Sequence, residues 1–243
     1  MNRLRIVLAA AAIAATLTVS AAHATFVQPS SWTRGAFGTT YQEWDVFTDA
    51  SGGPNAPDVA DVNPNGSASL AETSPNFPGP SPFITSGGNI YSFATQTAFT
   101  VTIPEADVPA PPHDVTAIVQ VATLGTEPDL SSFLLNGLAA VDQAELSRGT
   151  AAGGFGGSEV ENWFLFNVPY SAFGDGVSPT DLTLTFEASG SSMSLDRIAI
   201  DTAIRPFGFF AEPNPIPEPS ALALLMTTAT CGLVGSVRRR RSA

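Results

Sequence analysis

The stretch "DLTLTFEAS", Asp181–Ser189, decides the fold class, because apolar and polar side chains alternate along it. Successive side chains of a β-strand point to opposite faces, so Leu182, Leu184 and Phe186 share one face. Two threonines and a glutamate occupy the other face. The alternation predicts an antiparallel strand with one buried and one hydrated face.

Short stretches of similar character occur on both sides of this strand. They are rich in Val, Ile, Thr and aromatic residues, and Gly, Pro, Asn or Asp residues separate them. They cover residues 41–47, 89–104, 114–125, 131–137, 159–169 and 192–201. Only "DQAELSRG" at 142–149 favours a helical turn. The pattern predicts an all-β, two-sheet antiparallel β-sandwich over residues 25–212, jelly-roll-like, with an immunoglobulin-like sandwich as the alternative.

The first 24 residues have the three parts of a secretory signal peptide. A short basic segment, "MNRLR", is followed by an apolar run and then by small residues at Ala22 and Ala24. This small-x-small pattern is typical of a signal-peptidase site. We therefore expect a signal peptide at 1–24, a mature chain that begins at Thr25, and export through the inner membrane.

Charge is distributed unevenly along the 243 residues. All ten basic side chains are arginines, and six of them lie at the two ends, at Arg3, Arg5 and Arg238–Arg241. The segment between these groups carries all 22 acidic side chains and four arginines, a formal charge of −18. Such a segment repels phosphates, which excludes nucleic acid as a partner, and it attracts cations.

The last 31 residues form a second targeting region. Residues 213–220 are a proline-rich linker, and proline at every second position favours an extended polyproline chain. Residues 221–237 carry no charge and would span about 26 Å as a helix, close to the ~30 Å of a bilayer core. The four terminal arginines place the tail on the cytoplasmic side. We expect a single-span anchor over 221–243.

This tail resembles the PEP-CTERM sorting signal of Gram-negative bacteria. The resemblance rests on Pro217, Glu218 and Pro219, on the apolar segment after them, and on the terminal arginine cluster. It implies recognition and processing by an exosortase-type membrane enzyme, followed by delivery to the cell surface or extracellular matrix. The resemblance covers the tail alone, and domains joined to such tails are diverse.

Residues for covalent catalysis are scarce in the exported segment. It has no lysine, and the chain's only cysteine, Cys231, lies in the apolar tail, so we also expect no disulfides. None of the common nucleophile, zinc-protease or phosphate-loop motifs occurs. Glu159 and Glu161 would share a strand face and could act as the carboxylate pair of a glycoside hydrolase. A carbohydrate-active enzyme is therefore the alternative to a non-catalytic domain.

A calcium-loop pattern occupies "DVNPNGSASLAE" at 61–72. Asp61, Asn63, Asn65 and Glu72 supply oxygen ligands at the required spacing, and Gly66 permits the sharp turn. The proline-rich flanks exclude the two helices of an EF-hand. Two interpretations remain, an isolated calcium loop on a β-domain or ordinary turn-rich sequence.

Aromatic rings provide candidate ligand-binding residues. Trp32, Tyr41 and Tyr91 could stack on sugar rings, whereas Trp44 and Trp163 lie in strand-like stretches and are expected to fill the sandwich. We therefore expect an exported, exosortase-sorted surface or matrix protein with a non-catalytic β-sandwich. Extracellular polysaccharide is its expected ligand, and calcium is its candidate cofactor.

Overall fold

The computed structural model describes residues 26–59, 61–74, 80–104, 113–151, 156–173 and 181–215. The expected signal peptide with Thr25, the Pro217–Pro219 motif and the apolar tail at 221–243 lie outside the described residues. Within the described ranges, no helix is long and apolar enough to cross a membrane.

The described chain is all-β, as the alternation predicts. Its strands are β1 Thr39–Trp44, β2 Ser69–Glu72, β3 Phe83–Ile84, β4 Ile90–Tyr91, β5 Ala98–Ile103, β6 Asp114–Gly125, β7 Leu134–Leu135, β8 Leu138–Ala139, β9 Asp142–Thr150, β10 Ser158–Val168, β11 Leu182–Glu187 and β12 Met193–Arg205. Short 3-10 helices occupy Leu130–Ser132 and Tyr170–Phe173.

The strands form two antiparallel sheets in a sandwich-like arrangement. The larger sheet has the order β3-β4-β12-β6-β10-β9, with β1 also paired to β12, and the smaller sheet has the order β2-β5-β11-β7-β8. The chain changes sheet at most connections, for example from β5 to β6, from β8 to β9 and from β11 to β12. One apolar core contains residues of both sheets.

The strand predicted within Asp181–Ser189 is β11, which is central to the smaller sheet. β11 pairs with β5 on one side and with β7 on the other. Leu182, Leu184 and Phe186 are buried in the shared core, and the residues between them are half-buried, which confirms the predicted alternation. Phe133 stacks on Phe186 and on Phe164 of β10, with ring centroids 4.8 Å and 4.0 Å away. These rings join the two sheets.

The prediction of a helical turn at 142–149 was wrong. These residues form β9, which pairs with β10 at the edge of the larger sheet. Ser147 lies opposite Glu161 and Glu145 lies opposite Asn162, so Leu146 is an extra residue in a β-bulge. The extra residue interrupts the two-residue period, and the alternation of a strand is therefore hidden in the sequence.

The outer face of the larger sheet is covered by the two ends of the described chain. The ring of Trp32 packs on Phe210, 5.5 Å between centroids, over Ile118 and Trp163 of the sheet. The carboxylate of Glu212 accepts hydrogen bonds from the backbone amides of Ser30 and Ser31, at 3.1 Å and 2.5 Å. The segments 26–34 and 206–214 therefore form one covering layer.

Candidate functional site

A pocket of about 140 Å³ lies at the β9 edge of the sandwich. It is lined by Glu127, Leu130, Gln143, Ala144, Glu145, Arg148, Asn162 and Phe164. Gln143 lies opposite Phe164 and Glu145 lies opposite Asn162 in the β9–β10 ladder, so these four side chains share a face. Phe164 belongs to the core between the sheets, which places polar β9 side chains at the mouth of the sandwich.

An ionic cluster forms the rim of this pocket. Arg148 donates to both carboxylate oxygens of Glu127, at 2.5 Å and 3.0 Å, and to Glu145, at 2.7 Å. The hydrogen bond from Arg148 lowers the pKa of the Glu127 carboxyl. Hydrogen bonds to Glu127 and then to Glu145 raise the pKa of Arg148. Glu127 and Arg148 therefore stay charged at neutral pH.

Asn162 provides an uncommitted amide at this pocket. Asn162 is only 4% exposed, and its backbone is paired with both β6 and β9. Its side-chain amide lines the cavity and forms no hydrogen bond within the part of the chain that the structure describes. Most buried polar side chains in proteins have a hydrogen-bond partner. The Asn162 amide can both donate and accept, so a bound polar molecule would satisfy it.

The three aromatic residues expected to bind sugar are packed inside the domain. Trp32, Tyr41 and Tyr91 are 8%, 6% and 5% exposed, and the structure does not bring them together. The Arg34 guanidinium lies 3.4 Å from the Tyr41 ring centroid, and Tyr91 packs edge-on against Phe93. These rings contribute packing area rather than an open stacking surface.

The two tryptophans expected in the core are buried. Trp44 lies between the sheets, and its indole N–H donates to the Asn55 carbonyl at 2.9 Å. Trp163 packs instead on the outer face of the larger sheet, beneath Trp32. Both faces of this sheet are therefore covered at β10.

The carboxylate pair of the enzyme alternative lies away from the β9 pocket. Glu161 is buried and bonded to Arg197 at 2.8 Å, and the Arg197 guanidinium lies 4.0 Å from the Phe26 ring centroid. Burial raises the pKa of the Glu161 carboxyl, and the charge of Arg197 opposes that rise. Glu159 adds a small further rise through its negative charge. The Glu161 carboxylate is thus part of a covered ion pair.

The calcium-loop residues have other bonds in this structure. The Asn63 side chain donates to the Pro104 carbonyl at 2.9 Å and accepts from the Asn65 amide at 3.0 Å. Buried Glu72 accepts from the Ser74 amide at 2.9 Å. Among the described residues, no cluster of three or more His, Cys, Asp or Glu side chains could hold a metal ion. Calcium binding by Asp61 and the other three predicted ligands therefore stays a prediction.

No protein-family model, curated protein or solved structure matches the chain. The β9 pocket was missed by sequence reasoning because 142–149 favours a helical turn. One signal was present, since Asn162 is a polar residue inside the apolar stretch "VENWFLFNV". An interrupted apolar strand of this kind can place an amide in a core-facing position.

Proposed function

We propose that this chain is an exported envelope protein, sorted by its PEP-CTERM tail and processed by an exosortase-type enzyme. Its jelly-roll-like sandwich is a non-catalytic module of the cell surface or extracellular matrix and binds polysaccharide there. The frequent passage of the chain between the two sheets supports the jelly-roll-like connectivity.

The observation that carries this proposal is the position where the described fold ends. Glu212 binds the segment at 30–31, and Pro213 and Asn214 are exposed. Every described strand precedes this point, and the Pro217–Pro219 motif follows within a few residues. A protease could therefore remove the tail without disturbing the apolar core.

The carboxylates support a non-catalytic role. Glu161 is covered and paired with Arg197, and Glu127 and Glu145 are both bound to Arg148. A general acid needs a carboxyl that is protonated near neutral pH and open to the substrate. The hydrogen bond from Arg148 favours the charged form of Glu127 instead.

Intact-mass analysis of the exported protein tests the proposal. In a Gram-negative host with an exosortase, we expect a product that begins at Thr25 and ends near Pro219. A triple variant, Pro217→Ala, Glu218→Ala and Pro219→Ala, should keep the chain to Ala243. The matched control Pro213→Ala with Pro215→Ala should be processed like the wild type.

Two results would contradict the proposal. One is a wild-type product that still ends at Ala243 when the exosortase is present. The other is equal loss of processing in the control, because proline content rather than the motif would then direct the cleavage.

A further inference from the structure

We infer that the β9 pocket binds one neutral hexose unit of an extracellular polysaccharide, with the Asn162 amide as the central hydrogen-bonding group. The inference deepens the proposed function, on which the extracellular source of the sugar rests. The fit of a hexose to the pocket rests on the geometry of the pocket itself.

The polar groups of the pocket fit a molecule that both donates and accepts hydrogen bonds. Asn162 offers a carbonyl oxygen and an amino group from a buried position. The exposed side chain of Gln143, on β9, adds a second amide. Vicinal hydroxyl groups match such amides, because each hydroxyl is at once a donor and an acceptor.

The ionic rim disfavours charged ligands. Three nitrogens of Arg148 are committed to Glu127 and Glu145. A cation would have to displace that guanidinium from two carboxylates, and it would leave a positive charge beside itself. An anion would meet both carboxylates and a domain of strongly negative charge. A neutral polyhydroxylated ligand avoids both costs.

The size of the pocket limits the ligand to about one ring. Pockets for drug-sized molecules usually measure about 300–1,000 Å³, whereas this cavity measures about 140 Å³. Leu130 lies at its edge with 40% of its surface exposed, and its side chain can contact the C–H face of a sugar. The pocket therefore suits one terminal or branching residue of a glycan.

Saturation-transfer NMR on the purified exported chain tests this inference. The probes are D-glucose, D-galactose and D-mannose, with D-glucuronate as the charged control. We expect at least one neutral hexose to bind and glucuronate to bind at least tenfold more weakly. Asn162→Leu should weaken the binding about tenfold, and Gln143→Ala about threefold, as expected for lost hydrogen bonds.

Asn167→Leu is the matched control, because Asn167 lies on the same strand, five residues beyond Asn162 and outside the pocket. It should bind the hexose like the wild type. Gln143 is an exposed edge residue, so its variant tests the pocket even if Asn162→Leu fails to fold. Circular dichroism confirms the fold of each variant.

Three results would overturn the inference: no binding of any of the three hexoses, unchanged binding in both folded pocket variants, or glucuronate binding as tight as hexose binding. The sugar assay can be carried out on a chain that ends near Pro219 or on one that ends at Ala243. A failure of tail processing therefore leaves the pocket result standing, and a failure of sugar binding leaves the sorting result standing.

Discussion

Two glutamines show how the same residue type can stabilise or destabilise this domain. Both Gln42 of β1 and Gln120 of β6 are fully buried. The Gln120 amide accepts from the Val27 N–H at 2.7 Å and donates to the Val27 carbonyl at 2.8 Å. Neither side-chain polar atom of Gln42 has a partner in the described chain. A buried unsatisfied amide costs free energy, whereas a bonded amide holds the N-terminal segment in place.

We therefore predict opposite effects of the same substitution at these two positions. Gln42→Met keeps the side-chain length and should raise the free energy of unfolding by about 1 kcal/mol. Gln120→Met leaves two backbone groups of Val27 unpaired and should lower it by about 2 kcal/mol. Urea denaturation followed by circular dichroism measures both. Equal losses of unfolding free energy in the two variants would contradict this prediction and would indicate that water forms hydrogen bonds with the Gln42 side chain.

Arg34 and Asp201 form a contact that only the folded chain can create. The Arg34 guanidinium donates two hydrogen bonds to the Asp201 carboxylate, at 2.6 Å and 2.8 Å, across 167 residues of sequence. Burial raises the pKa of Asp201, and the bonds from Arg34 oppose that rise. The fork geometry of arginine allows both bonds at once.

At the scale of elements, the bulge in β9 positions the candidate site. Because Leu146 is the extra residue, Ser147 lies opposite Glu161 and Arg148 lies opposite Val160. Arg148 then reaches Glu127 on a different segment. The same charged groups make the exposed edge of β9 a poor template for pairing with another strand.

The covering layer of segments 26–34 and 206–214 makes a testable contribution to stability. Trp32 is buried between Phe210 and the larger sheet, whereas nearby Phe37 is fully exposed. Trp32→Ala should lower the free energy of unfolding by about 3 kcal/mol, because it removes a large buried ring.

Phe37→Ala is the matched control and should change this free energy by less than about 0.5 kcal/mol. Guanidinium denaturation of both variants measures the difference. Similar values for the two would show that the covering layer adds no stability.

At the scale of the whole molecule, the main electrostatic feature is the excess of acidic side chains. The segment between the terminal arginine groups carries a formal charge of −18, and three of its four arginines already form ion pairs in the structure. The remaining acidic side chains repel one another. Repulsion of this kind destabilises a compact state, and salt screens it.

We predict that added cations stabilise the domain. Raising NaCl from about 20 to 300 mM should increase the thermal midpoint by a few degrees, because the Debye length falls below ~10 Å. Calcium at matched ionic strength should add a further increase if the loop at 61–72 binds it, and Asp61→Asn should remove that increment alone. Differential scanning calorimetry measures both effects. A thermal midpoint that falls as NaCl is added would contradict the claim that charge repulsion destabilises the domain. A calcium-dependent increase that is unchanged in Asp61→Asn would contradict calcium binding by the loop at 61–72.

Strand positions were predictable where local alternation was unbroken. The stretch at 114–125 coincides with β6, and the alternating stretch at 181–189 contains β11, whose apolar face is buried in the core. The candidate site was not predictable, because Glu127, Arg148 and Asn162 meet only after a bulge and two strand pairings. The ring contacts of Trp32 and Tyr41 were equally hidden, since their partners lie more than 160 residues away or on a loop.

By itself, the sequence determined the all-β class and the acidic character of the segment between the terminal arginine groups, and it contains the patterns from which export and sorting are proposed. These properties depend on local periodicity, on short contiguous motifs and on composition. Tertiary structure alone decided which strands pair, which face of the larger sheet the chain ends cover, and which polar groups remain without partners. These features depend on contacts between residues that are far apart in the sequence. The free energies of such contacts depend on burial, which exists only in the folded chain.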